Sequence, residues 1–97
     1  MRKYYVAVCM PLTTGGWRAH FPDVPDCSAD GSTLDRAVFH AAGALADHSA
    51  RLNGTAVQVL QGPRDLVTIR ADRNWEASHQ IDWSTAVVAM IPVHVQL

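Results

Sequence analysis

Nine carboxylates, five histidines and two cysteines are the side chains of this 97-residue chain best suited to ligating a metal or to acid–base and thiol chemistry. Their spacing decides which chemistry they support. His20, His40, His48, His79 and His94 show no ligand interval such as HxxxH, which favours solvated or capping roles over a metal centre. Cys9 and Cys27 are too few for a disulfide framework and match no zinc motif, so reduced thiols in a cytoplasmic protein are expected. A metal-dependent nuclease needs several carboxylates converging on magnesium, one of them on the first strand. Tyr4 to Met10 contains none, and Glu76 is the single glutamate. No catalytic residue, metal or cofactor is expected.

The carboxylates gather in one stretch instead. Residues 1–18 hold Arg2, Lys3 and Arg18 and no acid, whereas residues 19–50 hold Asp23, Asp26, Asp30, Asp35 and Asp47 against Arg36 alone. The whole chain carries a net charge of -1, which excludes the broad basic face of a protein that lives on nucleic-acid phosphates. A locally acidic segment is complemented by a basic partner. Within Phe21-Pro22-Asp23-Val24-Pro25-Asp26 the two prolines fix a bend that Asp23 can close through its own backbone. A loop on a rigid scaffold is also where binding residues sit, so a structural and a contact role both stand. Trp17 divides the same way: burial habits favour the core, and exposure would make it an interface anchor.

These groups need elements to hold them. Residues 3–10, aromatic and β-branched, form a first strand that Pro11 stops, and Leu12 to Gly16 supplies a hairpin turn. Trp17 to Phe21 alternates with period two, a half-buried second strand. Pro22 to Asp26 cannot continue a ladder, because proline has no N–H to donate. A short third strand over about residues 27–30 follows, and Gly31 permits a sharp entry into a helix.

Ser32 or Thr33 caps that helix, with Ser32 and Asp35 at capping-box spacing. Leu34, Val38, Ala41, Leu45 and Leu52 form one apolar stripe, widened by Phe39, Ala42 and Ala46. Arg51 suits the last turn, and Gly54 is the stop. Beyond the Gly62-Pro63 breaker, Arg64 to Arg73 reads as one short helix with Leu66, Val67 and Ile69 inward. His79 to Trp83 reads as connection, with Trp75 and Trp83 folded onto the core. Thr85 to Val95 is almost continuously apolar, the pattern of a strand covered on both faces, and Pro92 marks an edge or bulge.

The order implies an α+β fold: a three-stranded antiparallel meander, one long helix on one face, then a fourth strand. A right-handed crossover would lay that strand parallel to the first, in sheet order 3-2-1-4. Cys9 and Cys27 then lie about 9–10 Å apart, beyond disulfide reach. Composition, 48% hydrophobic and 18% charged, is that of a globular domain, and one domain over residues 1–97 is expected. No apolar stretch is long enough for a membrane helix, and the N-terminus is too short in apolar residues for a signal peptide.

Gly16, Trp17, Phe21, Pro22, Asp23, Pro25, Cys27, Gly31, Thr33 and Ala37 follow a pattern of turn glycine, aromatic, Phe-Pro-Asp-x-Pro-Gly-Cys, then Gly, Thr and Ala at a helix start. In this the chain resembles the HicB-type antitoxins of bacterial toxin–antitoxin pairs. Gly-Pro-Arg at 62–64 and the closing apolar strand extend the likeness over most of the chain. Asp26 departs from it, standing where the family has glycine and adding a charge. No ribbon-helix-helix or helix-turn-helix module of the kind many relatives append is expected within these residues, so the resemblance does not imply DNA binding by this chain.

The resemblance implies a truncated ribonuclease H-like fold and a binding protein that performs no chemistry. The implied partner is a small basic HicA-type toxin, a ribonuclease whose active surface the antitoxin masks. Charge and loop position assign Trp17, Asp23, Asp26, Asp30 and Asp35 to the toxin-facing surface. Assembly as a homodimer or higher homo-oligomer is also expected. The alternative function is a solitary self-associating regulatory module, pairing through the third strand or the Pro92-bearing strand end.

Overall fold

Strand β1 (Arg2–Pro11) is the centre of the molecule, with Tyr5 through Cys9 buried without interruption. Successive side chains of a strand point to opposite faces, so an unbroken buried run requires cover on both. In the computed structural model, which describes residues 2–25, 27–53 and 63–94, β1 has that cover. Tyr5, Ala7 and Cys9 enter one cluster with Phe21, Ala41, Leu45 and Ile91. Val6 and Val8 enter a second, with Ile69 and Ile81, on the other face.

The turn after β1 closes with Leu12 N–H donating to the Gly16 carbonyl at 2.9 Å and Gly15 N–H to the Leu12 carbonyl at 3.1 Å. Gly15 and Gly16 sit at φ 86° and 95°, backbone that a side chain would strain. Strand β2 (Trp17–His20) returns antiparallel with Cys9 opposite Ala19, and β3 (Ser28–Gly31) pairs antiparallel with β2, Arg18 opposite Asp30. Helix α1 (Leu34–Asn53) starts from Thr33, whose hydroxyl accepts the Arg36 N–H at 3.2 Å. It lies against Gly31, where an added Cβ would stand 2.2 Å from the Ala37 nitrogen.

Along α1, Ala41 and Leu45 are buried and Leu34 and Val38 half-buried, as the stripe predicts. Phe39 departs from it, being 76% exposed, and Ala46 is exposed as well. At about 100° per residue, Phe39, two positions from both Ala37 and Ala41, lies about 160° around the helix from each, so it faces solvent. The Leu52 side chain, Gly54 and Gly62 lie outside the described residues.

The single short helix expected over residues 64–73 is two: α2 (Leu66–Arg70) and α3 (Arg73–Ser78). Asp65 caps the first, accepting from Thr68 N–H at 2.8 Å, and Asp72 caps the second, accepting from Trp75 N–H at 3.1 Å. A second cap inside the segment forces the break. Leu66, Trp75 and Trp83 pack on the second cluster, so the tryptophans do fold back.

Strand β4 (Val87–His94) completes the order β3-β2-β1-β4. The order agrees with expectation and the direction does not: β4 is antiparallel to β1, with Val87 opposite Cys9 and His94 opposite Arg2. The crossover rule assumes that one helix returns the chain to the end where the first strand began. Here the chain passes through α2 and α3 on the opposite face and enters β4 where β1 finishes. The double cover expected for this strand belongs to β1. In β4, an edge strand, Val87, Met90 and Pro92 are exposed while Ile91 is buried.

Candidate functional site

The loop between β2 and β3 is anchored from beneath. Phe21, Pro22, Val24 and Cys27 are buried, and Val24 N–H to the Phe21 carbonyl (3.1 Å) and Cys27 N–H to the Val24 carbonyl (2.9 Å) close its bends. Asp23 sits inside this frame with its side chain only 9% exposed. One carboxylate oxygen accepts the Arg64 backbone N–H at 2.7 Å, and the other accepts the Arg64 Nε–H. Arg64 continues to Asp72, its Nη1 at 3.2 Å from Oδ2. The hydrogen bond it donates to Asp23 comes first among the causes that raise the Arg64 guanidinium above its usual range. Asp72 is held low, first by the Trp75 N–H it caps and then by Arg64. Arg64 therefore ties the Asp23 loop to the start of α3.

Asp30 lies elsewhere, on the face that carries α2 and α3. It takes Arg18 as a two-pronged pair, Nε to Oδ1 at 2.7 Å and Nη2 to Oδ2 at 3.1 Å, with both side chains about half exposed. The Arg18 hydrogen bond lowers the Asp30 carboxyl below the usual range. The Asp30 backbone carbonyl accepts from His40 Nδ1 of α1 at 2.7 Å, which occupies part of the free edge of β3. Arg18, His20, Ser28, Ala29 and Asp30 line a shallow, open groove.

The five residues assigned to one acidic face are thus dispersed. Asp23 points inward to Arg64, Asp30 is matched by Arg18, and Asp35 is exposed in the first turn of α1. Trp17 is half-buried against the first cluster, and Asp26 lies outside the described residues. Asp23 has the structural role the sequence allowed, but it reaches Arg64, 41 residues away, rather than its own turn. The Gly-Pro-Arg at 62–64 was the one local hint of that partner.

Other contacts left no pattern in the sequence. His20 meets the His79 ring edge-to-face at 5.1 Å between centroids, and His79 stacks on Trp75 at 5.0 Å. The Arg70 guanidinium lies 5.2 Å over the Trp83 ring, whose buried Nε1–H has no hydrogen-bond partner among the described residues. Among the described residues no three His, Cys, Asp or Glu side chains gather as a metal site, and no helix is long and apolar enough to cross a membrane.

No protein-family model and no curated protein matches this chain. Solved structures do. The N-terminal domain of the Burkholderia pseudomallei antitoxin HicB aligns over 100% of both chains, with a TM-score of 0.71 and 21% identity. A chain of a HicA3 and HicB3 toxin–antitoxin complex aligns over 100% of both, with a TM-score of 0.66 and 18% identity. The likeness runs along the whole length of both chains, and the chain has the fold of the HicB antitoxin N-terminal domain.

Proposed function

We propose that this chain is an antitoxin-like binding protein that neutralises a small HicA-type ribonuclease toxin by covering its active surface. The observation that carries this reading is the full-length likeness in fold to an antitoxin domain and to a chain of a toxin–antitoxin complex. The motif from Gly16 to Ala37 supports it independently. The chain acts by steric and electrostatic occlusion and performs no chemistry; the carboxylate-free run from Tyr4 to Met10 supports that part. Buried Cys9 and Cys27 thiols suit a reducing, cytoplasmic setting.

Of the proposed toxin-facing residues, Asp30 and Asp35 present exposed carboxylates to the basic partner. Asp23 and Trp17 hold the loop and hairpin that carry the surface, and Asp26 joins it by sequence position. The test is a pull-down and ribonuclease assay with the product of the small open reading frame adjacent to the gene for this chain. Wild-type protein is expected to co-purify and suppress the activity, and Asp30→Lys with Asp35→Lys to weaken suppression about tenfold or more. Absence of both binding and suppression by the wild-type chain overturns the reading.

One observation favours a self-associating module as well. β4 is an edge strand without charged side chains over Val87 to Pro92, and Met90 and Tyr4 stand 53% and 49% exposed beside it. Sedimentation of the chain alone tests this: a monomer at every concentration removes it.

A further inference from the structure

His20 and His79 lie 59 positions apart and meet where the second-face layer touches β2. Their rings pack edge-to-face, 5.1 Å between centroids and 69° between planes. His79 is the C-cap of α3, and its Nδ1 lies 3.1 Å from the Trp75 carbonyl oxygen. A carbonyl oxygen only accepts, so that nitrogen carries the proton of the bond. Ser78 Oγ, 3.1 Å from the same nitrogen, and the Trp75 indole beneath complete a seat that fixes the His79 ring from its own helix.

His20 meets this ring from the sheet. The titratable and charged groups acting on it are His79 from the end of α3, Arg18 from β2 and Asp30 from β3, while β1 places Val8 opposite it. Burial is the first cause opposing a proton on His20, followed by His79 and then Arg18; Asp30 alone favours it. Neutral rings in an edge-to-face pair attract, and two imidazolium ions at this separation repel.

We propose that the His20–His79 pair is an acid-operated clasp: neutral rings hold the end of α3 on β2, and protonation releases the α2–α3 layer and widens the groove lined by Arg18, His20, Ser28 and Asp30. The other ties of this layer keep their charge through the same interval. Arg64 stays charged between Asp23 and Asp72, Arg70 stays over Trp83, and Ile69 and Ile81 pack without ionising. Among these contacts of the described residues, only the histidine pair changes between about pH 8 and pH 5. With the affinity of His20 for a proton lowered in the folded state, the released state takes the proton first. The clasp therefore stabilises fully above the ordinary imidazole value and weakens as pH falls through it. This inference does not rest on toxin binding.

Hydrogen exchange of the full chain, corrected for intrinsic rates, tests it. Protection of α2 and α3 amides relative to β1 amides is expected to fall about tenfold from about pH 8 to pH 5 in wild-type protein. In His79→Phe, which keeps an aromatic ring on Trp75 at an exposed position, that ratio is expected to stay flat. An unchanged ratio in wild type, or an equal fall in the variant, overturns the clasp. Should His79→Phe fail to fold, His79→Gln serves with the same readout. NMR titration of the His20 ring gives a second criterion: its midpoint is expected to rise when residue 79 carries no imidazole, and an unmoved midpoint contradicts the coupling.

Discussion

At the scale of single residues, burial separates two aspartates that look equivalent in the sequence. Asp23 is nearly enclosed and accepts both the backbone and the side chain of Arg64, whereas Asp30 and Arg18 meet in water. Removing Asp23 leaves an amide and a guanidinium short of a buried acceptor, and removing Asp30 leaves groups that solvent can satisfy. Asp23→Ala is expected to cost about 2 kcal/mol in urea unfolding, and Asp30→Ala under about 1 kcal/mol. Equal costs would mean that the Asp23–Arg64 tie adds nothing beyond a surface pair. The sequence shows that Asp23 sits in a proline-fixed bend. It does not show the partner, because nothing local couples position 23 to position 64.

At the scale of elements, α1 shows which positions tolerate a side chain. Gly31, at the end of β3, is crossed so closely by the start of α1 that an added Cβ would stand 2.2 Å from the Ala37 nitrogen, a backbone atom that cannot swing aside. Gly43, mid-helix and exposed, has nothing within 4 Å of an added Cβ. Gly31→Ala is expected to destabilise by about 3 kcal/mol or more, by forcing strand and helix apart. Gly43→Ala is expected to stabilise by about 0.5–1 kcal/mol, since alanine loses less backbone entropy in a helix. Thermal unfolding of the two variants checks both signs. The helix itself was legible from its apolar spacing and its cap. The side taken by Phe39 was not, because an apolar residue beside a stripe reads as part of it until packing shows where the stripe ends.

At the scale of the whole molecule, several ordering contacts are made by ionised carboxylates. Asp30 is held low first by Arg18, Asp65 by the Thr68 N–H, Asp72 by the Trp75 N–H and Asp82 by the Ser84 hydroxyl. A carboxyl lowered by folding stabilises above its unfolded value, and the contribution is lost as pH falls through the folded one. The unfolding midpoint is therefore expected to drop as pH falls below about 4. A midpoint unchanged from neutral pH to about pH 3 would show that these caps and pairs contribute nothing. Added salt is expected to weaken the Arg18–Asp30 pair more than the short caps.

The sequence by itself determined the four strands, the long helix and the order of the strands in the sheet. Strand and helix periodicity, proline and glycine punctuation and a cap at Ser32 or Thr33 are local, and short connections between β1, β2 and β3 leave few ways to pair them. Tertiary structure alone decided the direction of β4, the double cover of β1, the Asp23–Arg64 tie and the His20–His79 contact. Each depends on α2 and α3 packing over the second face of the sheet. Their short apolar segments carry too little periodicity to announce that placement, and the joint burial of Val6, Val8, Ile69 and Ile81 fixes it only once the chain is folded.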